Sequence, residues 1–296
     1  MGDMPSLVTI DECLGQAAAA LDAALGVGRI GARLEVRLLL GHLLDQSRAW
    51  LAAHGGEAPT PDQMRAWRTL LARRLAGEPA AYIVGEREFY SLTFSVTPAV
   101  LIPRPETELL VDLALARLPL GRAVRLLDLG TGSGAVALTL AKHRPQAEIV
   151  AVDRSAAALT LARENGRRLN APQVAWVQSD WYGGLSGYFD VIVSNPPYIP
   201  EGDAHLRRGD LRFEPRMALA AGIDGLAAIC RVVAEAPAHL CAGGWLLFEH
   251  GFDQADACQA LLTAAGFEQI DSFADLAGIR RVSGGQLPAR SSAAVA

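Results

Sequence analysis

The stretch Asp128-Leu129-Gly130-Thr131-Gly132-Ser133-Gly134 constrains this chain more than any other, because it joins the apolar run Arg125 to Leu129 to a helical one. Closely spaced glycines between a strand and a helix mark a place where backbone approaches a ligand and a Cβ has no room. The run is the first of a series. Glu148 to Val152, Val174 to Gln178, Phe189 to Ser194 and Gly244 to Glu249 read as further strands, with helical stretches between most of them. That alternation is what a parallel sheet with crossover helices requires. Phe267 to Phe273 and Ile279 to Ser283 could supply two last strands.

A length of 296 residues, 51% of them hydrophobic, favours two domains with sizeable cores over one. Residues 1–80 carry helical periodicity and helix punctuation. Thr9 and Glu12 form a capping box before a helix ending near Leu25, and Thr60, Pro61 and Gln63 open one that closes at Gly77 and Pro79. Between them Leu34, Leu38 and the Leu43-Leu44 pair are expected on one face of a third helix. Residues 81–100 turn to short β-branched and aromatic runs around Gly85 and Ser91, as a hairpin linker would. A proline-punctuated segment, Ile102 to Glu108, then opens a helix running to about Leu118. The catalytic domain is placed at residues 101–286, and residues 287–296, small and polar, are expected to be a flexible tail.

Asp153 closes the strand after the glycine turn, where a carboxylate accepts hydrogen bonds from ribose hydroxyls. Asp180 and Trp181 close the next one on the same edge, so that the indole can stack on adenine and the carboxylate can receive its amino group. An NAD site would look similar, but Gly130, Gly132 and Gly134 are spaced Gly-x-Gly-x-Gly, whereas a pyrophosphate-binding helix start usually has Gly-x-Gly-x-x-Gly. An adenosyl sulfonium has no pyrophosphate to bind.

The chemistry is expected at Asn195-Pro196-Pro197-Tyr198, directly after the strand Phe189 to Ser194. An Asn side-chain oxygen and the Pro196 carbonyl can accept the two hydrogens of a planar NH2 group while Tyr198 packs on its face. An amide or aromatic amine is a poor nucleophile because its lone pair is delocalised. Catalysis must therefore hold the nitrogen in line with the methyl group and localise that pair, and positioning alone supplies up to ~7 to 11 kcal/mol. The same four residues could instead be a rigid turn. His205, Arg104, Glu106, Glu214 and Arg216 are candidates for shaping a substrate groove, with solvated surface as the bland alternative.

Lys plus Arg number 27 against 32 Asp plus Glu, a net charge of -5, so there is no bulk attraction for nucleic acid phosphates. The remaining histidines and Cys13, Cys230, Cys241 and Cys258 lack ligand spacing, so no metal site is expected and the thiols read as those of a cytoplasmic protein. No apolar run approaches the ~20 residues that span a bilayer.

Taken together, these residues resemble the PrmC/HemK family of release-factor glutamine methyltransferases. The resemblance runs through Arg73 to Pro79, Tyr82 to Gly85, Leu101 to Glu108, the glycine turn, Asp180-Trp181, Val193 to Ile199, Arg212 to Pro215, Phe248 to Gly251 and Asp275 to Gly278. It implies a helical N-terminal domain that recognises the substrate protein, a β-hairpin linker, and a class I, Rossmann-like methyltransferase domain with a seven-stranded sheet. It also implies S-adenosylmethionine as cofactor, held by Gly130 to Gly134, Asp153, Trp181 and Asn195, with the substrate at Asn195 to Tyr198. The implied substrate is the Gln of the Gly-Gly-Gln loop in class-1 peptide chain release factors, methylated on its side-chain amide nitrogen. Three alternatives stay open: an adenine-N6 DNA methyltransferase, glutamine methylation of another protein such as a ribosomal protein, and a non-catalytic adaptor that binds the cofactor. The chain also carries Gly284-Gly285-Gln286. Coincidence is the favoured reading of that tripeptide, and the alternative is a mobile tail that presents Gln286 to the site.

Overall fold

The computed structural model describes residues 8–118 and 123–289, which fall into two compact units. The first runs to Gly85 and includes the segment Arg208–Phe213; the second takes up the chain at Glu86 and again at Glu214.

The first unit is helical: α1 (Ile10–Leu25), α2 (Gly28–Leu44), α3 (Arg48–Ala53), α4 (Pro61–Leu75) and α5 (Ala80–Val84). Thr9 with Glu12 and Thr60 with Gln63 each close a reciprocal capping box, which satisfies donors that a helix start leaves open. Ile10, Cys13, Leu14, Ala17, Ala18 and Leu21 recur at helical spacing and form the buried face of α1. In α2 the inward face is Ala32, Val36, Leu39 and Leu40, while Leu34 is 47% exposed. The leucines at positions 34, 38, 43 and 44 therefore do not define that face, because several registers are apolar in a helix rich in leucine. Arg74, 2% exposed, pairs with Glu35 at 2.6 Å and with Asp210 of the returning segment at 3.3 Å. A guanidinium tolerates such burial because its planar fork meets two carboxylates at once.

The second unit opens with an antiparallel hairpin, β1 (Glu86–Phe89) and β2 (Leu92–Ser95), followed by a 3-10 turn over Pro105–Thr107 and α6 (Glu108–Arg117). Then come β3 (Arg125–Leu129), α7 (Ala135–His143), β4 (Glu148–Asp153), α8 (Ala156–Arg168), β5 (Val174–Gln178), β6 (Phe189–Ser194), α9 (Ala227–Glu235), β7 (Leu240–Glu249), α10 (Ala255–Ala264), β8 (Glu268–Ala274) and β9 (Arg280–Gln286). The seven strands after the hairpin form one sheet in the order β5-β4-β3-β6-β7-β9-β8, parallel except for β9, which is antiparallel to both neighbours. Alternate residues feed two apolar layers. Leu126, with residues of α6 and α7, lies on one side; Leu127 and Ile192, with residues of α9 and α10, lie on the other. All six residues of β6 are buried, as expected of a central strand covered on both faces.

Gly284, Gly285 and Gln286 lie in β9, so they are not a mobile tail. Packing requires both glycines: a Cβ on Gly284 would stand 2.7 Å from the Leu246 carbonyl oxygen, and one on Gly285 would stand 2.9 Å from Phe267 Cβ. Gln286 donates through Nε2 to the Gly243 carbonyl at 2.8 Å and accepts from Gln269 at 2.6 Å. Leu287 still pairs with Gly243 and Gly244. Residues 290–296 of the expected tail lie outside the described residues. Among the described residues, no helix is long and apolar enough to cross a membrane.

Candidate active site

Strand order reverses at β3, whose neighbours are β4 on one side and β6 on the other; in such sheets ligands bind beyond the carboxyl ends of the strands at that point. The register pairs Leu129 with Ser194, and the Ser194 hydroxyl donates to the Leu129 carbonyl at 2.8 Å. The residues that follow, Gly130 and Asn195, therefore emerge side by side. They line a cavity of about 500 Å³, a volume within the range of cofactor pockets.

Around it the structure gathers Gly130, Thr131, Gly132, Ser133, Asp153, Asp180, Trp181, Asn195 and Pro197. Gly130 and Gly132 have positive φ, and nothing stands within 4 Å of a Cβ built on Gly132. Gly134 serves otherwise. It starts α7 at φ 83°, and a Cβ there would press on Leu138 at 3.0 Å and on Trp176 at 3.1 Å, so this glycine lets helix and strand pack. Trp181 is held at φ 57°, a conformation costing an ordinary residue about 1–3 kcal/mol, and its ring lies by Gly130. Asp180 pairs with Arg231 at 2.6 Å on the cavity lining, so its carboxylate is shared with a cation.

Asp153 accepts from the Gly132 N–H at 2.9 Å and the Ser155 N–H at 2.8 Å. Burial raises its pKa against those bonds. Asp128, 2% exposed, is pushed up to about 7 by burial, opposed by the Thr131 hydroxyl at 2.7 Å and by the Ala137 N–H, with Asp153 adding repulsion. Two features follow for the ligand. A donor in the first turn of α7 is already given to Asp128, which leaves that helix start poorly suited to a pyrophosphate. Two carboxylates at the cavity, the buried Asp128 and the half-buried Asp153, instead favour a cationic ligand bearing hydroxyls, and the residues present fit an adenosyl sulfonium.

Asn195 is half-buried and donates through Nδ2 to Thr107 Oγ1 at 3.1 Å. Thr107 donates to Glu249 Oε2 at 2.6 Å, and the Tyr198 hydroxyl donates to Glu249 Oε1 at 3.0 Å. Burial raises Glu249, with both bonds opposing; burial and the neighbouring Glu249 raise the Tyr198 phenol, which stays protonated. Pro196 is buried, and Tyr198 packs against the apolar layer that contains Phe248 and Ile229. Neither lines the cavity itself, so Asn195 and Pro197 are the part of the tetrapeptide that faces it. Gln254 clamps the loop by donating to the Tyr198 carbonyl at 3.0 Å. Gly225 (φ 77°) passes so close that a Cβ would fall 2.2 Å from that same oxygen.

Of the groove candidates, Arg104 lines the cavity and pairs with the fully buried Glu214 carboxylate, which also accepts from the Ile102 N–H at 3.1 Å. Arg216 donates to the Glu201 carbonyl at 3.1 Å, Glu106 is exposed, and His205 pairs with Asp203 on the surface at 2.7 Å. Among the described residues, no group of three His, Cys, Asp or Glu could hold a metal ion. Thr107, Asp128 and Glu249 hold no role in the motifs legible in the sequence. The available signal was a carboxylate closing an apolar strand, as in Leu246-Leu247-Phe248-Glu249.

Residues 12–85 match the family described as PrmC N-terminal domain, and residues 106–208 match the Methyltransferase small domain. The chain is 54% identical over 257 residues to the release factor glutamine methyltransferase of Bordetella pertussis, covering 86% of this chain and 95% of that one. It is 45% identical over 255 residues to the Escherichia coli (strain K12) protein of the same name, covering 86% and 92%. Among solved structures, a methyltransferase from Pyrococcus furiosus superposes with a TM-score of 0.51 at 19% identity, over 76% of this chain and 98% of that one. The Thermus thermophilus 16S rRNA N2 G1207 methyltransferase, solved with AdoMet and guanosine, gives 0.51 at 25% identity over 68% and 49%. These two likenesses carry the fold: a class I methyltransferase sheet.

Proposed function

The chain belongs to the release factor glutamine methyltransferases, and from that premise we propose that Asn195 and the loop after it hold the glutamine to be methylated while the glycine turn holds the methyl donor. The enzyme uses S-adenosylmethionine to methylate a glutamine of release factors. The proposal goes further in three respects: the acceptor is the side-chain amide nitrogen, the glutamine is that of the Gly-Gly-Gln loop, and the substrates are class-1 factors. The observation that carries this reading is the pairing of Leu129 with Ser194, which sets the glycine turn beside Asn195.

When bound, S-adenosylmethionine supplies an electrophilic methyl group: the amide nitrogen lone pair forms the N–C bond, the S–C bond breaks with its pair kept by sulfur, and solvent takes the proton lost from nitrogen. Asn195 Oδ1, on the cavity wall, and the Pro196 carbonyl, beside that cavity rather than on its lining, accept the two amide hydrogens, which fixes the nitrogen and draws its lone pair out of conjugation. Pro197 supports that geometry through its fixed φ. Asp153 would receive the ribose hydroxyls on the lone pairs left by Gly132 and Ser155, Trp181 would take the adenine on its face, and Thr131 and Ser133 line the cradle. The charge balance of Asp128 and Asp153 favours the cationic donor over its neutral product.

The helical unit that ends at Gly85 recognises the body of the release factor. The enzyme acts in the cytoplasm without binding nucleic acid or membrane directly, consistent with a net charge of -5. Incubation with methyl-labelled S-adenosylmethionine and, separately, release factor, DNA and ribosomal proteins tests the reading. Label is expected on release factor alone, mapped by mass spectrometry to its Gly-Gly-Gln, and kcat/KM for the intact factor should exceed that for a short Gly-Gly-Gln peptide. Label on DNA would replace this reading with adenine-N6 methylation.

A further inference from the structure

We infer that Thr107 and Glu249 are positioning residues for methyl transfer, because together they decide which atom of the Asn195 amide faces the glutamine. The inference rests on the reading of Asn195 as the acceptor of the substrate amide hydrogens. The two ends of an Asn side chain have nearly the same shape and opposite hydrogen-bonding character. Turned one way, Asn195 offers Oδ1 to the substrate NH2 group. Turned the other way, it sets two donors against two donors, and the nitrogen is neither held nor relieved of its conjugation.

What breaks this symmetry is the contact of Nδ2 with Thr107 Oγ1 at 3.1 Å. A hydroxyl alone would not suffice, since it can donate as readily as accept. Thr107 is a one-way partner only because its own proton is committed to Glu249 Oε2 at 2.6 Å. Glu249 receives a hydroxyl on each oxygen, Thr107 on Oε2 and Tyr198 on Oε1 at 3.0 Å, and both bonds hold it as an acceptor. The relay therefore runs in one direction, from Asn195 through Thr107 to Glu249, and a second arm ties Tyr198 of the same loop to the same group.

Thr107 and Glu249 are 5% and 2% exposed, so water does not compete for these bonds. Their placement follows from the fold. Phe248 is paired with Ser194, so Glu249, the last residue of β7, and Asn195, the first beyond β6, come side by side on neighbouring parallel strands. Thr107 is delivered by the short 3-10 turn before α6. A purely structural role would require only that the carboxylate be satisfied; the ordered donor direction at Asn195 is what goes beyond it.

Three substitutions and a double variant test the inference. Thr107→Val keeps the shape and removes both roles of the hydroxyl, whereas Thr107→Ser keeps them. Glu249→Gln offers one oxygen to two hydroxyl donors; with its NH2 on the Thr107 side, the Thr107 proton turns toward Asn195 and the amide flips. Thr107→Val and Glu249→Gln should each lower kcat on release factor by about 10- to 100-fold, the usual cost of losing a group that orients a functional side chain. Calorimetric affinity for S-adenosylmethionine should stay within about twofold, and Thr107→Ser should stay within about threefold of the wild-type kcat. Adding Thr107→Val to Asn195→Ala should cost less than about twofold more, since the relay acts only through Asn195.

Thr107→Val at the wild-type rate, with Asn195→Ala inactive, would overturn the inference alone. An active Asn195→Ala would instead overturn the reading of the site. Losses that multiply fully in the double variant, or that follow cofactor affinity and melting temperature, would reduce both residues to structural supports and overturn the inference as well.

Discussion

Asp153 accepts the main-chain N–H of Gly132 at 2.9 Å, which fixes the end of β4 against the glycine turn. Removing the carboxylate would loosen that turn and, on the proposed reading of the site, take away the ribose acceptors. Asp153→Ala should weaken S-adenosylmethionine by about 10- to 100-fold, if bonds to an ionised acceptor of ~1.5–3 kcal/mol are lost, and saturating donor should restore the rate. Titration calorimetry checks this; unchanged affinity would remove Asp153 from the site.

Asn195→Ala should leave folding and cofactor affinity in place and lower turnover by at least about 10²-fold, as the loss of one preorganised polar partner does. Tyr198→Phe should cost less, because the ring keeps its packing and only the bond to Glu249 goes. Single-turnover rates on release factor decide both, and more than half the wild-type rate in Asn195→Ala would refute the assigned role.

Asp128 gives the site a pH dependence. Burial raises its carboxyl to about 7, so below that pH the free enzyme holds a proton there. A cationic donor favours the ionised form, so binding should release a proton, and affinity should rise from pH 5.5 to pH 7.5 and level off above about 7. The sign for stability is the reverse. A folded pKa above the unfolded 3.8 stabilises fully below 3.8, and that stability is lost as pH rises through about 7. Calorimetry in two buffers of different ionisation enthalpy measures the proton count, and Asp128→Asn should abolish the slope that Asp128 contributes.

Gly284→Ala should destabilise the second unit by about 1–3 kcal/mol, because the added methyl meets the Leu246 carbonyl and the Leu247 side chain within the sheet. Thermal melts measure the loss. Gln286 is engaged on both sides of β9, so mass spectrometry after incubation with S-adenosylmethionine should find no methyl group on it. A methylated Gln286 would show that β9 opens at its end.

The sequence by itself determined the local order. Alternating apolar runs and helix starts placed the strands beginning at Arg125, Glu148, Val174 and Phe189, and capping chemistry at Thr9 and Thr60 placed two helices, because these patterns depend on neighbours a few residues apart. It also put Gly130, Asp153, Trp181 and Asn195 at the ends of strands, which in a parallel sheet is one edge. Tertiary structure alone decided what those residues touch. Thr107, Asn195 and Glu249 meet through strand register and a short turn, and no local pattern encodes a hydrogen bond between residues so far apart in the chain. Leu34 faces outward although its periodicity matches an inward face, because which stripe of a leucine-rich helix is covered depends on the helices packed against it. Gly284-Gly285-Gln286 resembles a substrate loop in isolation and is a strand in the fold, because only the packed sheet supplies the carbonyl and side chains that leave those two glycines no room for a Cβ.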